Sequence, residues 1–145
     1  MIKAIEIELT SACNARCPIC MRTRLIEKGI PVKTEHYTIE DIKQYFGPID
    51  MKDRRVKFCG VLGDPIACPD LYEISEYFLD KQVKHIEVST NAGLKTTKFW
   101  EEYGELSERS NNRLEIHFAI DGVYTNDYRV GVNLDKVWNN VDTYL

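Results

Sequence analysis

Strand-like and helix-like segments alternate along the whole chain, and this alternation leaves few folds open to it. Ala4–Leu9 (AIEIEL) reads as a strand with Ile5, Ile7 and Leu9 on one face of a period-two pattern. Val56–Cys59, Ile86–Ser89 and Leu114–Ile120 read as three further strands. Thr38-Ile39-Glu40-Asp41 has the Thr-x-x-acid form of a helix start; Ile39, Ile42, Tyr45 and Phe46 then share a face until Gly47-Pro48 stops the pattern. Pro69-Asp70 opens a second helix carrying Leu71, Ile74 and Phe78. Thr96–Leu106 supplies a third, with Phe99, Trp100, Tyr103 and Leu106, and Leu134–Leu145 a fourth, with Leu134, Val137, Trp138, Val141 and Leu145. Repeated strand–helix–strand units cross over right-handedly and build a parallel sheet, open or partly closed into a barrel. Active sites in such sheets lie outside the carboxyl ends of the strands, so the segments after each strand are where chemistry is expected.

Bulk properties narrow the partners. The 145 residues suit one domain. With 43% hydrophobic and 29% charged residues the chain has the balance of a globular domain with a real core. A net charge of −4 disfavours nucleic acid, because the positive field that draws a protein to phosphate is missing. Arg16, Arg22, Arg24 and Lys28 cluster locally and read as a solvated basic turn. No apolar run approaches the roughly 20 residues needed to span a bilayer. The alternating MIKAIEIELT start lacks the apolar stretch of a signal peptide. A cytoplasmic location is therefore expected, with five reduced cysteines available for metal binding or chemistry rather than disulfides.

After the first strand comes Thr10-Ser11-Ala12-Cys13-Asn14-Ala15-Arg16-Cys17-Pro18-Ile19-Cys20, a C-x3-C-x2-C loop. Thiolates are soft ligands suited to iron–sulfur clusters and zinc, and the short spacings let one loop wrap one metal centre. Three cysteines would leave one iron of a 4Fe–4S cube without a protein ligand, open to a cofactor. The rival metal is zinc, for which Cys59, Cys68 or a histidine would have to supply a fourth ligand. A group of small buried thiols fits poorly, because Asn14, Arg16 and Pro18 are not core residues. After the second strand comes Gly60-Val61-Leu62-Gly63-Asp64-Pro65. Its glycines allow close backbone approach to a ligand, and its carbonyls with Asp64 could hold an ammonium group; an ordinary Gly-Asp-Pro turn is the plain alternative. Ser89-Thr90-Asn91-Ala92-Gly93 and Asp121-Gly122 follow the third and fourth strands, each also readable as a polar turn. Each of these segments is weak alone, but one at every strand end makes a common mouth.

These residues, in this order, resemble the radical S-adenosylmethionine (radical SAM) superfamily. The C-x3-C-x2-C motif after a strand ending Glu-Leu-Thr matches its hallmark, Gly60–Pro65 its Gly-Gly-Glu-Pro motif in a longer form, Ser89–Gly93 its Thr-Asn-Gly segment, and Ala119-Ile120-Asp121-Gly122 its Ser-Ile-Asp-Gly segment. The branch it looks most similar to includes peptide-modifying and cofactor-maturing enzymes. The resemblance implies an α/β fold, a partial (β/α) TIM-like barrel with about four of the six strand–helix units of the radical SAM core. It implies a single core domain over 1–145, incomplete at the C-terminus, so that either a second chain completes the barrel or the chain is a truncated or degenerate copy. It further implies a 4Fe–4S cluster on Cys13, Cys17 and Cys20, and S-adenosylmethionine held by Gly60, Gly63 and Asp64 at its amino group, by Ser89 and Asn91 at the ribose or carboxylate, by Ile19 at the adenine, and also contacted by Asp121. The implied reaction is reductive cleavage of S-adenosylmethionine to a 5′-deoxyadenosyl radical that takes a hydrogen atom from a substrate, fed by a donor such as flavodoxin or ferredoxin. Beyond the cluster ligands no catalytic residue is assigned. Ile19 stands where an aromatic residue is common, Asp64 replaces the usual Glu, and Ala119 the usual Ser.

Two other functions remain to be weighed: a cluster- or cofactor-binding half of a split enzyme without its own turnover, and a zinc-binding structural module. Cys59 and Cys68 read as small packed thiols. His36, His85 and His117 lack metal-ligand spacing. Trp100, Tyr103 and Trp138 read as packing residues. Tyr124, Tyr128 and Arg129 follow the fourth strand and read equally as substrate contacts or loop anchors.

Overall fold

Alternating apolar residues on each strand give the sheet one greasy face, and the helices cover it. The computed structural model describes residues 2–145; Met1, the first residue of the expected domain, lies outside that span. Strands β1 (Ala4–Ile7), β2 (Arg55–Phe58), β3 (His85–Thr90) and β4 (Leu114–Phe118) form one parallel sheet in the order β1-β2-β3-β4. Ile7 pairs with Phe58, Phe58 with Val88, and Thr90 with Phe118, so the carboxyl ends of the strands lie along one edge. The chain has the expected α/β architecture, four parallel strands alternating with helices as in a partial TIM-like barrel.

Among the described residues five α-helices accompany the sheet: α1 (Met21–Glu27), α2 (Ile39–Phe46), α3 (Leu71–Asp80), α4 (Thr97–Arg109) and α5 (Leu134–Tyr144). Val56, Phe58, Ile86, Val88 and Leu114 are buried with Ile42, Leu71, Ile74, Phe78, Trp100, Tyr103 and Val137 in one core. The other face of the sheet is charged. Lys57 Nζ lies 2.6 Å from Glu87, His117 Nδ1 3.3 Å from Glu87, and His85 Nε2 3.0 Å from Glu115. These residues, with Glu6 and Arg55, line a cavity of about 490 Å³. Among the described residues no helix is long and apolar enough to cross a membrane.

Local signals were followed closely where a side chain satisfies the backbone. Thr38 and Asp41 form a reciprocal capping box at α2. Asp70 Oδ2 accepts from the Ile39 amide at 2.9 Å and ties the start of α2 to that of α3. Thr96 and Asn133 cap α4 and α5 by accepting from Phe99 N and Lys136 N.

The structure departs from the sequence reading at several points. β1 ends at Ile7, not Leu9, because the chain next bends to pair Thr10 with His36 in an antiparallel bridge. Leu9 nonetheless stays buried and accepts from the Tyr37 amide. Met21–Glu27 is a helix where a basic turn was expected; only Thr23 of it is buried, so it shows no apolar stripe. Tyr45, placed on the buried face of α2, is 59% exposed and meets Tyr37 edge-on. Leu145 is exposed beyond the last turn of α5.

Tyr103 is fully buried in the aromatic part of the core and stacks on Phe99. Its hydroxyl lies 2.7 Å from Ser75 Oγ, which itself donates to the Leu71 carbonyl, so the phenol must be the donor. Burial pushes the Tyr103 phenol up, keeping it protonated. Tyr103→Phe should cost about 0.5–1.5 kcal/mol, the loss of one buried hydrogen bond without a cavity. Trp100→Ala, which opens a cavity in the same layer, should cost roughly 3–5 kcal/mol. Urea midpoints with an unchanged slope would measure both.

Candidate functional site

The four strand ends converge on a cleft of about 180 Å³. It is lined by Cys13, Cys17 and Cys20 after β1, by Cys59–Asp64 after β2, by Ser89, Thr90 and Asn91 at β3, and by Ala119 and Arg129 after β4. The three cysteines of one short loop thus share a cleft with segments brought from across the sheet.

Each cysteine has its own surroundings. Cys13 Sγ accepts from the Ala15 amide at 3.4 Å and faces the Asn91 side-chain amide at 3.8 Å. Cys17 Sγ lies 4.0 Å from Arg129 Nη1. Cys20 sits at the N-cap of α1, its Sγ 4.0 Å from the Val61 carbonyl. Burial pushes the thiols of Cys13 and Cys17 up, against the Ala15 amide at the first and the Arg129 charge at the second. Metal binding would have to displace those protons. All five cysteines are free thiols. Among the described residues no three His, Cys, Asp or Glu side chains are gathered as a ligand set for a metal ion.

Asp64 is buried, and its carboxylate is already engaged. Oδ1 accepts from Ile66 N at 3.1 Å and Oδ2 from Asn91 N at 2.8 Å, so it braces the turn after β2 to the end of β3. Burial pushes its carboxyl up, opposed by the amides of Asn91 and Ile66. Asn91 is equally occupied: its Nδ2 donates to Asn14 Oδ1 at 3.1 Å, and its Oδ1 accepts from Gly93 N at 2.8 Å. Gly60 and Gly63 are required by the chain's own backbone. A Cβ at Gly63 would collide with the Thr10 carbonyl, and one at Gly60 would sit 2.6 Å from the Gly63 carbonyl oxygen and 2.7 Å from Glu8 Oε1. Ser89 Oγ lies 3.5 Å from Glu87 on the polar face of the sheet. Asp121 Oδ2 pairs with Arg129 Nε at 2.5 Å. Ile19 is 64% exposed and does not line the cleft.

Three residues gain a place that sequence reasoning did not assign. Cys59 is not a packed thiol: it stands past the end of β2, lines the cleft and donates to Glu6 Oε1 at 2.6 Å. Cys68, by contrast, is fully buried as expected. Arg129 turns inward toward Cys17, while Tyr124 is 94% exposed. Glu8 accepts from the amides of Leu62 and Gly63, a contact foreshadowed only by its place in Glu-Leu-Thr.

A family model described as the Radical SAM superfamily matches residues 7–144, nearly the whole chain. The chain belongs to the radical SAM superfamily. Among similar proteins are the "Probable GTP 3',8-cyclase" of Methanococcus maripaludis strain C6, 23% identical over 142 residues, and that of strain C5, 24% identical over 144. Each alignment covers 97% of this chain but 45% of the relative, so the chain spans under half the length of those proteins. For a radical SAM chain the position of the cysteine loop, at the carboxyl edge of a parallel sheet, agrees with where ligands bind in such sheets.

The Asp64 brace generates a prediction. Asp64→Asn replaces one acceptor by a donor facing a buried amide, and should cost about 1–3 kcal/mol. Equilibrium unfolding in urea would show the loss. An unchanged midpoint would mean that the carboxylate does not hold the two strand ends together.

Proposed function

We propose that this chain is a radical SAM enzyme core in which Cys13, Cys17 and Cys20 hold a 4Fe–4S cluster and the rest of the cleft takes S-adenosylmethionine. The observation that carries this reading is the single cleft shared by the three thiols, the Gly60–Asp64 turn and the β3 end. The donor set fits the group: three soft ligands suit three irons, and the Val61 carbonyl facing Cys20 is an acceptor for an ammonium group at the remaining position. When bound, the cluster would supply the electron for reductive cleavage of S-adenosylmethionine, and the pair would thereby provide hydrogen-atom abstraction from a substrate carbon.

The protein's part is to bind, orient and exclude water. The turn after β2 presents carbonyls to the amino group. Asp64 holds that turn against β3 rather than meeting the cofactor through a free oxygen, since both its oxygens already accept amides. The Ala15 amide at Cys13 and the Arg129 charge at Cys17 favour thiolate over thiol, against the burial that pushes both thiols up. Ser89, which lines the cleft, would serve the ribose or carboxylate, whereas Asp121, paired with Arg129, and the exposed Ile19 would reach the cofactor only from outside the cleft lining. Five free thiols suit a reducing, cytoplasmic setting, and reduction would need a donor such as flavodoxin or ferredoxin. The name of the relatives makes GTP a substrate to test directly.

Anaerobic reconstitution should load about four irons and four sulfides per chain. Stoichiometric zinc without sulfide would instead support the structural-module reading. Cys17→Ala should lose the cluster. With dithionite and S-adenosylmethionine the loaded chain should form 5′-deoxyadenosine; a full cluster that forms none, with and without GTP, would leave only a binding role.

A further inference from the structure

Glu8 lies just past β1, half-buried, with its carboxylate under the turn that follows β2. One oxygen, Oε1, accepts from Leu62 N at 2.6 Å and from Gly63 N at 2.9 Å. Such charge-assisted bonds are stronger and more directional than neutral ones. They fix two successive peptide planes. In a trans peptide the N–H and the preceding C=O point in opposite directions, and no peptide bond among the described residues is cis. With the Leu62 N–H drawn toward Glu8, the Val61 carbonyl must point away from it. That direction is the cysteine cleft, where the Val61 oxygen lies 4.0 Å from Cys20 Sγ. The Gly63 N–H constrains the Leu62 carbonyl in the same way. Gly60 leaves room for this contact, since a Cβ there would lie 2.7 Å from the same Oε1.

We infer that Glu8 is a positioning residue: its carboxylate anchors the Leu62 and Gly63 amides and thereby aims the Val61 and Leu62 carbonyls at the ammonium group of S-adenosylmethionine. The inference rests on the cofactor reading above. Glu8 does not line the cysteine cleft; it faces a cavity of about 580 Å³ on the other side of Leu62, lined also by Thr10, Glu35 and His36. Without the anchor the turn's carbonyls lose their fixed direction, and the ammonium group loses acceptors set out in advance for it.

The test compares wild type with Glu8→Ala, Glu8→Met, which keeps the volume without a strong acceptor, and Glu8→Gln, whose amide oxygen can still accept both bonds. Two quantities are read on the full chain. The first is hydrogen exchange at the Leu62 and Gly63 amides before cluster loading. The second is the Kd for S-adenosylmethionine, and the change it causes in the reduced cluster's electron paramagnetic resonance spectrum, at equal iron and sulfide content. The expected result is faster exchange at those two amides in the Ala and Met variants, affinity weaker by about tenfold or more, and Gln within about threefold of wild type. Unchanged exchange would overturn the anchor. Faster exchange with wild-type affinity and an unaltered spectral response would overturn the aiming role. A loaded wild-type chain that binds no S-adenosylmethionine would sink the cofactor reading and this inference with it, while the exchange data alone would still report whether the anchor exists.

Discussion

The site depends first on the all-parallel pairing of the strands. Parallel ladders in the observed register put the last residues of β1, β2, β3 and β4 on one edge. Every loop that leaves that edge carries one wall of the cleft. An antiparallel pairing would send alternate loops to the opposite end and separate Cys13 from Asn91 and Val61. The pairing is itself held by burial: the helix-facing residues Val56, Phe58, Ile86 and Val88 are essentially inaccessible, and a one-residue slip of β2 or β3 would exchange them for Lys57, Glu87 and their neighbours.

On that frame, two carboxylates do what loops cannot do alone. Asp64 joins the turn after β2 to β3, and Glu8 joins the same turn to β1. Both work by accepting backbone N–H groups that would otherwise be left unpaired near a cleft. The two glycines of the turn are needed for the same reason. Their missing side chains let it lie against Thr10 and Glu8, so the glycines serve the chain's own close packing before they serve a ligand.

Several side chains could not be placed from the sequence. Helix α1 carries no apolar stripe, because it buries only Thr23 and begins from Cys20, so periodicity had nothing to detect. Cys59 looked like a core thiol because it follows the apolar Phe58, but alternation turns it to the polar face beside Glu6. The inward course of Arg129 depends on a loop whose Val130 carbonyl accepts from the Arg16 amide, a contact between segments over a hundred residues apart. Asp64 was legible as part of a motif but not as a brace, since the Asn91 amide it meets comes from another strand.

Local sequence determined the strands, four of the helices, the Thr38–Asp41 capping box and the cysteine spacing, because hydrophobic period, capping residues and short-range loop geometry act between residues close in the chain. Tertiary structure alone decided which carbonyls face the cysteines, which carboxylates are spent inside the protein, and which arginine points at a sulfur. Those outcomes are set by hydrogen bonds between residues from different strand ends. Such partners meet only after the sheet has formed, and nothing in the local pattern of either partner encodes the other.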